Sequence, residues 1–354
     1  MELPFKPLIL ADSISWVGNR LMTVLVSIPT VKLAEVRTHR LLSQLEGEEI
    51  FTSTNDKLLS LNANSSRAIP MEHQIRQSRE CNFMPIWTEK GKGMQGQHVS
   101  EKEIIDAASG AWAAAQDLAT YYANILSEDW AIHKQDSSLL LNPFTWTTCI
   151  ITADSFGWSQ WFELRCPDYR INDQRFYSKR ECMDYLGTED IDFEKINVSM
   201  TYPAIQVIAE AIYDLWNYNT PKLLYDREWH IPFIDQKKLS ILSENPIQDA
   251  LDISVSKCAL ISYNNQEKNE TTEEHKKRAE RLKKSGHYST MEHQYQVPTT
   301  TELFSKDFKE EYRQPMFGNG FEYHRGIYVS NVKGWKQYRK IIEEQNKQNN
   351  ETRN

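Results

Sequence analysis

A hairpin of strand-forming residues near the N-terminus, followed by several amphipathic helices, predicts an α/β (α+β) chain with one core. Residues 8 to 28 alternate around Val17-Gly18-Asn19, and Leu21, Val24, Val26 and Ile28 supply strand formers before Pro29. A helix is expected from about Thr30 to Leu42, on which Arg37 and Arg40, three residues apart, share a face. From Ser100 the run Ser-Glu-Lys-Glu has the pattern of a capping box, and Ile104, Ile105, Ala108, Trp112, Ala115, Leu118 and Tyr122 follow at helical spacing. An apolar stretch through Ile150 and Ile151 precedes a shorter helix carrying Trp158 to Arg165. Ile205, Ile208, Ala209, Ile212 and Leu215 mark one side of a helix from Pro203 to Trp216.

The remaining segments read as surface. Residues 45 to 61 are polar and turn-rich and are taken as an inserted loop, and Gly91 to Gly96 as a flexible crossing that lacks the GxxxxGK[ST] of a P-loop. Residues 264 to 285 mix Lys, Arg and Glu, the pattern of a solvated helix. Positions 343 to 354 hold almost nothing apolar and are expected to fray, leaving 1–342 as a single domain.

Composition narrows the function classes. At 354 residues, with 40% hydrophobic residues and ten tryptophans, the chain can bury a sizeable core. A net charge of −8 argues against direct nucleic-acid binding, which needs a basic surface. No apolar run is long enough to span a bilayer and the first residues lack the order of a secretory signal, so a cytoplasmic protein without membrane contact is expected. Five cysteines with no CxxC pair indicate reduced thiols.

Two distant stretches carry the chemistry. The first is Arg37-Thr38-His39-Arg40 with the later Ala63-Asn64-Ser65-Ser66-Arg67-Ala68; the second is Ser285-Gly286-His287-Tyr288-Ser289-Thr290-Met291-Glu292-His293. Guanidinium groups make bidentate contacts to phosphate or to a ring carbonyl, and short hydroxyls pair with phosphate oxygens in tight turns. Taken alone, the arginines fit surface ion pairs equally well, and Ser289 with Glu292 three residues later fits the start of a helix. No two of His287, Glu292 and His293 have HExxH spacing, so a zinc hydrolase is disfavoured and no metal is expected.

The first stretch resembles the RHRxxSxNExSxRY signature of flavin-dependent thymidylate synthases, and the second resembles that family's GHxSPFEH segment. Ser66 to Pro70, His133-Lys134-Gln135, Phe162 to Arg165, Glu228 to Ile234 and Gly334 to Lys340 are similar to further landmarks of a phage-type branch. The order of the two main motifs is permuted. Thr38 stands for the first Arg of RHR, Ala63 for the Glu of NExS and Ala68 for the final Tyr, while Leu139, Glu163 and Leu260 occupy positions where relatives carry other polar or basic groups.

The resemblance implies a mixed sheet flanked by long helices and the reductive methylation of dUMP to dTMP. FAD would be the cofactor, with NADPH and methylenetetrahydrofolate as co-substrates. Arg67 and Ser65 would be catalytic and, with Arg37, would hold the nucleotide. His39, Arg40, Arg165, His287, Ser289 and Glu292 would hold FAD. A homotetramer encoded by a bacteriophage is implied as well. The alternatives are a nucleotide- or flavin-binding subunit of the same fold without turnover, and a related enzyme making a modified pyrimidine nucleotide.

Overall fold

The computed structural model describes residues 3–37, 60–63, 68–91, 98–235, 245–261, 270–304, 314–315, 322–323, 332 and 334–351. The expected hairpin forms: strand β1 (Leu8–Ser15) turns through Gly18, at φ 90°, into β2 (Arg20–Pro29). A 3-10 turn (Thr30–Lys32) leads into helix α1 (Leu33–Arg37). Strand β3 (Ser60–Ala63), helix α2 (Met71–Arg79), helix α3 (Lys102–Asn124), the short α4 (Lys134–Ser137), strand β4 (Trp146–Asp154) and helix α5 (Ser155–Arg165) follow.

A small hairpin, β5 (Tyr169–Ile171) and β6 (Gln174–Phe176), precedes α6 (Lys179–Leu186), α7 (Phe193–Ile196) and α8 (Pro203–Tyr218). Strands β7 (Lys222–Leu224) and β8 (Trp229–His230) come next, then α9 (Pro246–Ile261) and α10 (Thr272–Lys284). The last elements are β9 (Tyr295–Gln296), α11 (Thr300–Phe304), the pair β10 (Gln314–Pro315) and β11 (Glu322–Tyr323), then β12 (Lys336–Gln337) and α12 (Tyr338–Glu351).

Five strands make a mixed sheet in the order β3-β4-β2-β1-β7, antiparallel except for the parallel pair β1/β7. Its two faces follow from the alternation of β2. Met22, Val24, Val26 and Ile28 join Cys149, Ile151 and Ala153 of β4 against Trp158, Trp161 and Phe162 of α5 and Ile205, Ile208, Ala209 and Ile212 of α8. Each fully buried Ile or Val contributes ~1.5–3 kcal/mol, enough to fix the register. Leu25 and Ile150 point the other way, onto Cys258 and Ile261 of α9, and Leu21 meets Tyr295, Val297 and Trp335. Thus α5 and α8 cover one face, and α9 with the segment around β9 and β12 covers the other. A smaller antiparallel sheet, β12-β9-β8, lies on this second side.

Local chemistry sets the boundaries. Asp154 caps α5 by accepting a hydrogen bond from the Gly157 N–H at 2.8 Å, which turns the chain out of β4. Pro203 starts α8, and Thr271 and Glu274 form a reciprocal capping box on α10.

Four expectations are corrected. Ser60 and Leu61, the end of the stretch read as an inserted loop, belong to β3 and pair with Thr152 and Ile151; residues 45–59 lie outside the described residues. On α3, Glu101 is the N-cap and makes no side-chain bond, so the Ser100 box does not form. Its expected core stripe is partly turned outward, with Ile104, Leu118 and Tyr122 exposed. The helix faces α2 with Gln116, Thr120 and Ala123, the last packed on Met71 and Ile75. Gln116 Nε2 donates to the Ser78 and Cys81 carbonyls at the end of α2, and Thr120 Oγ1 lies 3.0 Å from Ser78 Oγ. The expected boundary at 343 falls inside a helix: α12 runs to Glu351, with Glu343 accepting from Arg339 and Lys340 and Asn346 donating to the Tyr288 hydroxyl.

Candidate functional site

The arginine motif begins at the end of α1. Glu35, two residues before Arg37, accepts from Arg165 Nη1 at 2.6 Å, so the last residue of α5 is tied to the helix that carries Arg37. Arg165 Nε is buried with no hydrogen-bond partner among the described residues. Lys32, one turn earlier, sits 3.4 Å above the Tyr202 ring. His39 and Arg40 lie outside the described residues, as do Ser65 and Arg67. They follow directly on elements that are placed: α1 ends at Arg37, and β3 ends at Ala63.

The Gly-His segment starts where α10 stops. Gly286 takes φ 71°, which a residue with a side chain adopts only under strain, and the chain then enters a 3-10 turn over Tyr288–Met291. Ser289 lies within that turn and Glu292 closes it, so this serine–glutamate pair does not open a helix. His287 and Ser289 are exposed, and His287 Nδ1 is 2.8 Å from Ser285 Oγ. The Glu292 carboxylate accepts from Arg339 of α12.

Beyond Glu292 the segment turns inward and meets the sheet at β3. Tyr295 OH lies 3.1 Å from Ser60 Oγ, and Gln337 Nε2 donates to Tyr295 OH at 2.8 Å and to the Glu292 carbonyl at 3.3 Å. His293 Nδ1 is 2.8 Å from the hydroxyl of Thr152, the cross-strand neighbour of Ser60. Burial holds the His293 imidazole down at about 3 and pushes the Tyr295 hydroxyl up, so both are neutral across the ordinary pH range. Two stretches more than two hundred residues apart therefore converge on one edge strand, directly before Asn64 to Arg67.

Arg165 is not part of that convergence. It is carried by α5 on one face of the sheet, whereas residues 286–295 pack on the other. The substituted positions are also dispersed. Leu139 is exposed, Leu260 is buried in α9, and Glu163 accepts from Arg175 and, at 2.6 Å, from the Tyr177 hydroxyl.

Sequence reasoning passed over Ser60, Thr152 and Tyr295, which with Gln337 of the Gly334 to Lys340 landmark join β3 and β4 to the Gly-His segment. In β3, buried Ser60 and Asn62 alternate with half-buried Leu61 and Ala63, a pattern of four residues that is too short to mark a strand in the sequence. Elsewhere, a cleft of about 770 Å³ is lined by Tyr169, Lys179, Asn197, Gln206 and Glu210 and contains no motif residue. Among the described residues no helix is long and apolar enough to cross a membrane, and no cluster of three His, Cys, Asp or Glu could hold a metal ion.

No protein-family model and no curated protein sequence matches the chain. Among solved structures it is similar to the UMP/dUMP methylase PolB from Streptomyces cacaoi bound with 5-Br UMP, at 16% identity and a TM-score of 0.35, covering 56% of this chain and 69% of that one. It is also similar to the same methylase bound with 5-Br dUMP, at 15% identity and a TM-score of 0.33, covering 56% of this chain and 65% of that one.

Proposed function

We propose that the chain is a flavin-dependent thymidylate synthase-like enzyme that converts dUMP to dTMP with methylenetetrahydrofolate and NADPH. The observation that carries this is the meeting of the Gly-His segment with β3, through Ser60, Tyr295 and Gln337, immediately before Ser65 and Arg67. The two resemblances are independent of each other, and chance gives no reason for the strand leading into one to bond the residues that directly follow the other.

In this reading Arg67, Ser65 and Arg37 hold the nucleotide phosphate and the uracil carbonyls by charge-assisted hydrogen bonds. His287 and Ser289 present an exposed imidazole and hydroxyl on one turn, a donor set that suits the carbonyl and phosphate oxygens of FAD. Glu292 orders the turn through Arg339. FAD, when bound, supplies the redox chemistry for the transferred one-carbon unit. Arg165, His39 and Arg40 are assigned to the same cofactor.

Arg165 and His287 sit on elements covering opposite faces of the sheet, so a site using both is completed by a second copy of the chain. The exposed Ile104, Leu118, Tyr121 and Tyr122 of α3 offer apolar surface for such an assembly, which we take to be a homotetramer.

One observation favours a subunit that binds without turnover. Glu292 and Arg165, both assigned to the cofactor, already have ion-pair partners in Arg339 and Glu35. The visible spectrum of the purified protein after addition of FAD, and then of dUMP, tests the proposal. Flavin bands perturbed near stoichiometry are expected; an unperturbed spectrum of free FAD under both conditions removes the enzyme reading.

A further inference from the structure

A line of polar side chains crosses the sheet beneath the Gly-His segment. Ser13 Oγ is 3.0 Å from His230 Nδ1, and His230 Nε2 is 2.8 Å from Thr23 Oγ1. Thr23 Oγ1 is 2.7 Å from Thr152 Oγ1, which is 2.8 Å from His293 Nδ1. All five side chains are buried, both histidines fully, and His293 Nε2 has no partner among the described residues. The line thus joins β1, β8, β2 and β4 to the last residue of the motif.

Counting protons restricts this line to two patterns. Each hydroxyl carries one proton, and each neutral imidazole carries one on either nitrogen. Both imidazoles are neutral, since burial holds each down at about 3. The threonine pair has a single proton for the link between them. If Thr23 donates to Thr152, it must accept from His230 Nε2–H, and Thr152 must donate to His293 Nδ1; both rings then carry their proton on Nε2. If Thr152 donates to Thr23, then His293 donates from Nδ1 and Thr23 donates to His230 Nε2; both rings then carry it on Nδ1. Any other pattern leaves a buried link unmade, at a cost of ~1–3 kcal/mol.

We propose that His293 is a positioning residue of the candidate site and that the Ser13–His230–Thr23–Thr152–His293 line couples its tautomer to that of His230. The unpartnered Nε2 is the sensing end. An acceptor there, such as a carbonyl or phosphate oxygen, selects Nε2–H on both rings. A donor there, such as the N–H of a pyrimidine ring, selects Nδ1–H on both. The total number of protons on the five groups is the same in both patterns. The ligand class rests on the proposed function; the coupling of the two rings does not.

The ring-nitrogen signals of the full chain with ¹⁵N-labelled histidine test this at neutral pH, without and with dUMP, while calorimetry records dUMP binding separately. His230 and His293 are expected to share one tautomer, and bound dUMP is expected to shift both rings together. In Thr152→Val the rings should become independent, with dUMP shifting His293 alone; Thr23→Ser, which keeps the hydroxyl, should retain the coupling and guards against a misfolded valine variant. Opposite tautomers in the unmodified chain overturn the coupling. Bound dUMP that leaves both rings unmoved overturns the positioning role. A chain with matched tautomers that binds no dUMP overturns the proposed function and leaves the coupling standing.

Discussion

Acid should destabilise this protein steeply between pH 7 and pH 5, and two residues account for much of the loss. His230 and His293 are fully buried and held at about 3 by desolvation, against ~6.5 in an unfolded chain. As pH falls through 6.5 the unfolded chain takes up two protons that the folded chain refuses, so stability present above that value declines until about pH 3. Integrating the linkage relation from pH 7 to pH 5 gives about 1.9 kcal/mol per histidine, about 4 kcal/mol for the pair. Other groups titrate as well: burial lowers His275 and raises Glu210 and Asp214, and their effects have opposite signs. They are common to a variant in which His230→Gln and His293→Gln are combined, and cancel in the comparison. Urea unfolding of both proteins at pH 7 and pH 5 should show the unmodified chain losing about 4 kcal/mol more than the variant. Equal losses would refute the claim that these imidazoles are buried and neutral.

Further expectations concern the edge strand and the ion pairs. Tyr295→Phe removes the hydroxyl shared by Ser60 and Gln337 and should cost about 1–3 kcal/mol in chemical denaturation; an unchanged midpoint would show that the contact does not hold the segments together. Arg67→Ala should abolish dUMP binding in calorimetry with the thermal transition unmoved, and unchanged affinity would remove Arg67 from the site. The Arg165–Glu35 pair is about one-quarter exposed, so Glu35→Ala should change stability by only ~0–1 kcal/mol. Arg165→Ala should in addition weaken FAD binding in a fluorescence titration, and equal FAD affinity in the two variants would reduce Arg165 to a structural ion pair.

Much of the fold was legible because strong periodicity coincides with burial. The hairpin around Gly18 and the apolar side of α8 emerged where alternation or helical spacing predicted them, since each buries a continuous face against the same core. On α3 the spacing was right for Ile105, Ala108 and Trp112, which are half-buried, and wrong for Ile104, Leu118 and Tyr122, which are exposed. Periodicity identifies an apolar stripe without saying what covers it, and the contact with α2 combines Gln116 and Thr120 with Ala123, which packs on Met71 and Ile75. Ser60 and Leu61 were hidden by the turn-rich run before them, because a four-residue strand at a sheet edge carries too little pattern of its own. The C-terminal helix packs Tyr338 and Ile342 on the cluster of α9 and α10 and adds side-chain bonds of Glu343 and Asn346, contacts that composition does not report.

Of the site, the sequence showed the two motifs but not what joins them. Tyr295 and Gln337 lie in two separate segments that the packing of β9 and β12 over the sheet brings to Ser60, while Thr152 meets it by the pairing of β4 with β3. The spacing of His293 likewise gave no hint that its imidazole bonds through two threonines to His230, 63 residues earlier.

The most direct test of the central claim is dTMP formation by the purified chain supplied with dUMP, methylenetetrahydrofolate, NADPH and FAD, with product followed by chromatography. The account predicts dTMP that requires each of the four and disappears in Arg67→Ala. A chain that binds both FAD and dUMP yet forms no dTMP would contradict it and identify a binding subunit in which the two motifs still meet at Ser60.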